Sequence, residues 1–471
     1  MQVNFKAKGI DMKAKRRDFI GGMLAAGSAP FLFGGCAGLF KCNSCVNVGV
    51  IGCGRISSEF EIPCVMKRKD IARIVAVCDL DLRRVHFARE KIERGYADGT
   101  KVATYSDYRD LLARDDIDAV MICVPDFWHA IVSASAIKAG KAVWLQKPFT
   151  QTIREGRIVA DLAKKYNTVM QVGSQQRSWN QFQAVCEAVR AGALGRISRV
   201  EVGIGIDKAG GSSAPEPVPA TFDYETWLGP TDPTAPYNET RCHSQDLRKI
   251  TSRPGWIQLA PYGWGMITNW GAHHLDIARW GLGAVGAEGV TGTCKWMDLS
   301  GGKLWNVHTN YDLHYSFNGG KTDVHVCDCY QNGVKFIGEN GEWLFCTRGK
   351  AKVTPSDPEP KVRPGDLGPL AASKPSLLPT PKAMPATSNQ LHVDNWLEAV
   401  LARDPSMTVT NAEEGHLSTA LCSLGQMCME LGRGKKEFSL SWDAVRETTG
   451  NAAADALMKP FARDRFDLDK I

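Results

Sequence analysis

The chain has 471 residues, 44% of them hydrophobic and 23% charged, with a formal net charge of +6 at pH 7. That length and apolar content are enough to bury two cores and too much for one ordinary domain. Residues 1–35 hold six cations (Lys6, Lys8, Lys13, Lys15, Arg16, Arg17) against Asp11 and Asp18, so +4 of the charge sits in the leader and about +2 in the rest, leaving no basic footprint for nucleic acid.

The leader reads Lys15-Arg16-Arg17-Asp18-Phe19-Ile20, followed by a small-residue apolar run from Gly21 to Gly35. Paired arginines ahead of a short, modestly hydrophobic segment resemble a twin-arginine export signal, and the run is too short and glycine-rich to span a bilayer. The expectation is a periplasmic or outer-surface protein. Phe33-Gly34-Gly35-Cys36 resembles a lipoprotein cleavage site, which would make Cys36 the acylated residue and a lipid anchor. The chain has 15 cysteines, but proteins that cross already folded do not require disulfides. Cys53, Cys78 and Cys123 fall in or beside strand-like runs and read as small core residues. Cys42 and Cys45, without a second pair, read as part of a flexible tether, so residues 1–45 are signal and tether and no metal site is expected.

From residue 46 short apolar runs alternate with amphipathic stretches. Strands are expected at 46–52, 73–79, 118–124, 142–146 and 168–172, and helices at 56–67, 82–92, 128–139 and 153–166. Such alternation implies α/β architecture with a parallel, Rossmann-type sheet over 46–172. After Gly195 the pattern changes. Strand-like runs at 196–206, 305–317, 322–330 and 334–345, with Asn318-Gly319-Gly320 and Gln331-Asn332-Gly333 as hairpin turns, imply a second domain over 173–471, of α+β class with an open, mostly antiparallel sheet. Irregular insertions at 209–220 and 355–388 either wrap a neighbouring subunit or the first domain, or form loose surface loops. Helices resume at Leu391 and are free to pack back on the first domain.

Three groups of residues could carry chemistry. In Val48-Gly49-Val50-Ile51-Gly52-Cys53-Gly54-Arg55-Ile56-Ser57 a buried strand runs into glycines and then a helix, and Asp79 closes the next strand about 25 residues beyond Gly54. This is the arrangement that places helix amides against a pyrophosphate and a carboxylate against ribose hydroxyls. Asp79 would repel a 2′-phosphate, which favours NAD; Arg83 and Arg84 keep NADP open. Gln146-Lys147-Pro148 follows the fifth strand, where a partly desolvated lysine can donate to a substrate hydroxyl and lower its pKa. In Asn269-Trp270-Gly271-Ala272-His273-His274-Leu275-Asp276, helical spacing puts Asn269, His273 and Asp276 on one face. A neutral His273 could take a hydroxyl proton, while His274 points away from it, which argues against a two-histidine metal site. Trp179, Tyr224, Trp256, Tyr262, Trp264 and Trp270 offer faces for a sugar ring, and Arg177, Arg241 and His243 could bind hydroxyls or an acid group.

Together with Val124-Pro125-Asp126-Phe127-Trp128-His129 and Ala139-Gly140-Lys141, these motifs closely resemble the Gfo/Idh/MocA oxidoreductases from about Val46 onward. Trp227-Leu228-Gly229-Pro230, Gly173-Ser174-Gln175-Gln176-Arg177 and residues 392–396 are particularly similar to exported members. The resemblance implies Lys147 as a catalytic, substrate-binding lysine and His273 as the acid/base. It implies that Gly52, Gly54, Arg55, Ile56, Asp79, Arg83, Pro125, Trp128, His129, Gln146, Lys147 and Gln175 line the cofactor, and that Asn269, Gln176, Arg177, His274 and Asp276 meet substrate. The chain departs from the family at Gln146, where the usual motif is Glu-Lys-Pro, and at Asn269, where Asp is common. The implied function is NAD(P)-dependent hydride transfer at a sugar or polyol hydroxyl, with a tightly bound cofactor and a small carbohydrate as substrate. The alternatives are a redox-neutral, NAD-dependent glycoside hydrolase or lyase that oxidises the sugar transiently, and a catalytically weak sugar-binding protein. By analogy with the family the chain is a homo-oligomer.

Overall fold

Runs of Val, Ile and Ala that are apolar at every position can only be buried on both sides, and they form a six-stranded parallel sheet. Its strands are β1 (Val46–Ile51), β2 (Ala72–Cys78), β3 (Ala103–Tyr105), β4 (Ala119–Ile122), β5 (Ala142–Leu145) and β6 (Met170–Val172), in the order β3-β2-β1-β4-β5-β6. The computed structural model describes residues 45–353, 363–380, 388–460, 463 and 466–471; the Arg16-Arg17 pair, Cys36, Cys42 and parts of the 355–388 insertion lie outside the described residues.

One face of this sheet packs Val120 and Ile122 against Ile131 and Val159 of the helices His129–Lys138 and Ile153–Lys165. The other packs Val48 and Val50 against Val85, Ile92 and Trp396 of the helices Leu82–Tyr96 and Ser388–Ala402. The helix starts are written locally. Thr152 Oγ1 accepts from Glu155 N at 3.3 Å while Glu155 Oε2 accepts from Thr152 N at 2.9 Å, a reciprocal cap that satisfies two otherwise orphaned donors. Asp81 caps the helix Leu82–Tyr96 through Arg83 N. Because β2 and β4 flank β1, the strand order reverses there, and a crevice opens at the carboxyl ends of β1 and β4.

The second sheet has eight strands: β7 (Ile197–Gly203), β8 (Gly289–Trp296), β9 (His308–Phe317), β10 (Thr322–Cys327), β11 (Gly333–Gly338), β12 (Trp343–Cys346), β13 (Leu370–Ala372) and β14 (Phe438–Ser441). Their order is β13-β12-β11-β7-β10-β9-β8-β14, and every pair is antiparallel except β7 with β10. Its inner side chains, among them Val200, Leu313, Tyr315, Val324 and Phe336, pack against the helices Asn180–Arg190, Gly271–Leu282 and Ala412–Leu431. Among the described residues no helix is long and apolar enough to cross a membrane.

Two expectations for this sheet change. Asn318-Gly319-Gly320 does reverse β9 into β10, with all three φ angles positive. Gln331-Asn332-Gly333 does not make a hairpin: β7 lies between β10 and β11 and pairs with both. The chain crosses the end of β7 so closely that a Cβ on Gly203 would sit 1.9 Å from Gln331 O, and only glycine admits that approach. The single run expected over 334–345 is two strands, β11 and β12, folded at Gly341.

Candidate active site

The glycine turn is shaped by contacts behind it. Gly52 sits at φ +93°, and a Cβ there would lie 2.5 Å from Cys123 O; its amide donates to Cys78 O at 2.8 Å. Asp79 holds the turn from the side, its Oδ2 accepting from Cys53 N at 2.7 Å and its Oδ1 from Asp81 N at 2.9 Å. In front the space is open. A Cβ on Gly54 would meet only Arg84 Nη1, at 3.9 Å, which is the clearance a pyrophosphate needs. Arg55, paired with Glu59 at 3.7 Å, and Ile56 also line this crevice. The two arginines considered for a 2′-phosphate part company. Arg84 lines the crevice, whereas Arg83, expected at the cofactor, turns to Asp81 and donates to Gln245 O at 3.0 Å.

His129 ties two loops of the crevice together. Its Nδ1 faces Pro148 O at 2.7 Å and its Nε2 faces Val124 O at 3.1 Å. Burial outweighs both carbonyls and pulls this imidazole down to about 4, so it is neutral and its single N–H donates to one carbonyl at a time. Trp128 Nε1 donates to Trp227 O at 3.0 Å, anchoring the wall beside Pro125. Gln146 Oε1 accepts from Lys147 N at 3.2 Å, and its amide nitrogen donates to Glu61 Oε1. Glu61 is fully buried and burial pushes its carboxyl up to about 7. The acidic group that Gln146 lacks is thus its direct hydrogen-bond partner.

Lys147 Nζ reaches across to the second domain and donates to Asn269 O at 3.2 Å. Burial lowers its pKa to about 8; Asp126 opposes that shift, while Arg348, Arg253 and Arg55 reinforce it. Asp126, buried in the same crevice, is pushed up to about 7 by desolvation against the pull of Lys147. His273 lies one turn beyond Asn269. Burial first, then the charges of Arg348 and Lys147, hold its pKa well below the usual imidazole value, and its Nδ1 has no hydrogen-bond partner among the described residues. Gln176 braces this wall: with its side-chain amide oriented so that both ends are satisfied, the nitrogen donates to His273 O at 3.2 Å and the oxygen accepts from Arg348 Nε at 3.0 Å. Arg348 lies over Trp270, 4.6 Å from the ring centre. The neighbouring Gln175 is buried with Oε1 unpartnered among the described residues.

Three residues expected at substrate are committed elsewhere. Arg177 Nε and Nη2 donate to Asp276 Oδ2 and Oδ1 at 2.8 and 2.6 Å, and Nη2 also to Glu414 Oε2 at 2.7 Å. Asp276 additionally accepts from Ser418 Oγ at 2.6 Å. His274 is fully buried, facing Asn332 Oδ1 at 3.1 Å, and burial drives its pKa to about 3. These are internal braces. Of the aromatic candidates, Trp256 lines the crevice, whereas Trp179, Tyr224 and Tyr262 are core; Arg241 is drawn to Pro236 O at 3.1 Å, and His243, which also lines the crevice, faces Asp81 at 3.4 Å. The site also contains Glu61, Asp126 and Arg348, which spacing did not single out. Asp126 belongs to the segment 124–129, but nothing around Glu61 or Arg348 in the sequence announces them.

Residues 46–174 match the Gfo/Idh/MocA family model, described as an oxidoreductase family with an NAD-binding Rossmann fold. The chain is 32% identical over 157 residues to inositol 2-dehydrogenase of Rubrobacter xylanophilus, which is 32% of this chain and 41% of that protein. It is 36% identical over 121 residues to glycosyl hydrolase family 109 protein 2 of a Shewanella species, 25% of this chain and 26% of that protein. The chain thus spans less than half the length of these curated relatives. The solved WlbA dehydrogenase of Bordetella pertussis, in complex with NADH and UDP-GlcNAcA, shares the fold over both domains: TM-score 0.58, 17% identity, covering 85% of this chain and 100% of that one. The N-terminal domain is therefore an NAD(P)-binding Rossmann domain of this oxidoreductase family.

Proposed function

We propose that the protein oxidises or reduces a hydroxyl-bearing carbon of a sugar or polyol, using a nicotinamide dinucleotide that stays bound through turnover. The observation that carries this reading is Lys147 Nζ on Asn269 O at 3.2 Å in the crevice that Gly52 and Gly54 line, with the Lys147 charge felt by His273, whose Nδ1 has no partner among the described residues. The residues fit the cofactor. The clearance before Gly54 and the amides of the following turn would receive the pyrophosphate, and Asp79 the ribose. When bound, the nicotinamide supplies the hydride acceptor or donor.

Lys147 holds the reacting oxygen and moves its proton. With a pKa near 8, a sizeable share of the lysine is a neutral amine just above neutral pH, the condition a general base needs. The sequence pointed to His273 as the proton acceptor, but its depressed basicity suits it better to orienting the substrate oxygen. His129 and Gln146 fix the loop that carries Lys147, and Asp126 sets its charge.

A second reading has the same residues serve a redox-neutral glycosidase, and the match to a glycosyl hydrolase family 109 protein favours it. Transient oxidation by the bound nucleotide would acidify the neighbouring C–H, whose proton a site base would take as the glycosidic substituent leaves as its alcohol; water would add across the double bond so formed, and return of the hydride would restore the sugar's oxidation level. The test uses purified protein with no added nucleotide. Aglycone release from an aryl glycoside supports the second reading, and a change in nicotinamide absorbance with free sugar supports the first. Protein that yields no nucleotide on denaturation and binds neither NAD nor NADP overturns both. The twin-arginine pattern of the leader supports export, where a retained cofactor is an advantage.

A further inference from the structure

The solvent side of the second sheet carries a cluster that hydride transfer does not use. We propose that Asp312, His314 and His325 bind a divalent transition-metal ion of the zinc class. Side chains alternate across a strand, so while Leu313, Tyr315, Val324 and Val326 enter the core, Asp312 and His314 of β9 and His325 of β10 project together to the other side. His314 and His325 are directly opposed in the register, with Asp312 next along the same face.

One ligand atom from each residue lies within 4.8 Å of the other two. His314 Nε2 is 3.5 Å from Asp312 Oδ1, and His325 Nε2 touches the same oxygen. Ligands around a tetrahedral ion with bonds of about 2.0–2.2 Å stand roughly 3.3–3.5 Å apart, so the His314–Asp312 separation matches coordination and the other two pairs lie within 4.8 Å of one another. Both outer ring nitrogens already have partners: His314 Nδ1 faces the Asp323 carboxylate at 3.0 Å and His325 Nδ1 faces Tyr330 Oη at 2.6 Å. For His314 the Asp323 carboxylate fixes the tautomer that leaves Nε2 free to coordinate and raises its basicity; for His325, whose Nδ1 accepts from Arg199, Tyr330 Oη is the partner that can take the Nδ1 proton once Nε2 coordinates. Two imidazoles and one carboxylate select zinc, nickel or cobalt over calcium or magnesium.

Two features must yield on binding. The rings are stacked 4.0 Å apart and 11° from parallel, so they splay about χ2, a soft torsion. Arg199, which reaches His325 Nδ1 and Tyr330 Oη, keeps only the tyrosine once the His325 proton moves to Nδ1. Its charge is balanced by Asp323 and Glu201, at 3.8 and 3.9 Å.

The experiment uses the full chain without an affinity tag, stripped with chelator and dialysed. Titration with Co2+ is expected to give the visible absorption of a low-symmetry nitrogen/oxygen site at one equivalent per chain, displaced by Zn2+, and Zn2+ is expected to raise the unfolding temperature. His314→Gln and Asp312→Asn, on an exposed sheet face, are expected to weaken Co2+ binding at least tenfold while leaving turnover and metal-free unfolding unchanged. Any contribution from Cys42 and Cys45 is common to wild type and variants and cancels. Equal Co2+ binding by wild type and His314→Gln, or no binding by wild type at micromolar metal, overturns the proposal.

Discussion

Gln146 donates from its amide to the carboxylate of Glu61, so the residue preceding the site lysine is neutral and rests on a buried acid. The free-energy consequence of that acid can be measured. Its folded-state pKa is raised from 4.5 to about 7, so the folded chain holds this proton more tightly than the unfolded one. The resulting stability is complete below pH 4.5 and lost as pH rises through about 7, a swing on the order of 3 kcal/mol. Glu61→Gln keeps an acceptor for Gln146 and removes the titration. Urea unfolding at about pH 5 and about pH 8 is expected to show the variant gaining on wild type at the higher pH; parallel stability curves would refute the assignment.

Lys147 is expected to impose a limb on the pH–rate profile, with turnover rising through about 8 as the ammonium loses its proton. Lys147→Met should lose roughly 10²–10⁴-fold in kcat and lose the limb with it. Asn269→Asp adds a carboxylate to the same crevice and should move the limb up by about one unit, since a nearby anion favours the charged amine. A limb unmoved by Asn269→Asp, or one that vanishes with His273→Gln rather than with Lys147→Met, would return the proton to His273.

Arg348 pushes both Lys147 and His273 toward neutrality. Arg348→Met is expected to raise the Lys147 limb, and Arg348→Lys to leave it near the wild-type position. The readout is the pH of half-maximal kcat, which loss of packing against Trp270 alone would not shift.

Arg177 and Asp276 should report in stability rather than substrate affinity. Removing one partner of a buried ion pair costs about 3–5 kcal/mol because the other charge is stranded, and Arg177 and Asp276 side chains are 3% and 1% exposed. Arg177→Met is therefore expected to lower the urea midpoint sharply, with KM unchanged in the folded fraction. A raised KM at wild-type stability would place Arg177 at the substrate after all.

The two glycines of the turn should fail differently. Gly52→Ala forces a Cβ to within 2.5 Å of Cys123 O at φ +93° and should destabilise the fold by a few kcal/mol, roughly. Gly54→Ala meets only Arg84 Nη1 at 3.9 Å, so it should fold normally and retain less nucleotide. Unfolding temperature and nucleotide content of the purified proteins separate the two effects.

The features legible in the sequence are those where backbone geometry leaves few residue choices. The apolar runs of β1, β2, β4 and β5, the Gly52 turn and the acid closing β2 each follow from a local constraint, and Lys147 follows β5 directly. Turn chemistry was a poorer guide to pairing: Gly333 marked a change of direction but not that β7 would lie between β10 and β11. Helical periodicity also misled at Asp276. Ten of the twelve residues of Gly271–Leu282 are buried, so sharing a face with His273 did not mean sharing its cleft, because Arg177 and Ser418 cover that side. Arg348 lies just beyond β12, and only the folded second sheet carries it to Lys147. Its position has no local signature.

Trp144 of β5 is completely shielded from water, and part of its cover is Trp396, with ring centres 5.8 Å apart. The outer edge of β6 is likewise closed by late sequence, Val172 N donating to Thr410 O at 2.9 Å. The nucleotide-binding half is therefore completed by residues that leave the ribosome more than two hundred positions after β6. A nascent chain halted before them would expose an indole and an unpaired strand edge, so the first domain gains its full cover only after the strands β7 to β13 of the second sheet have been made.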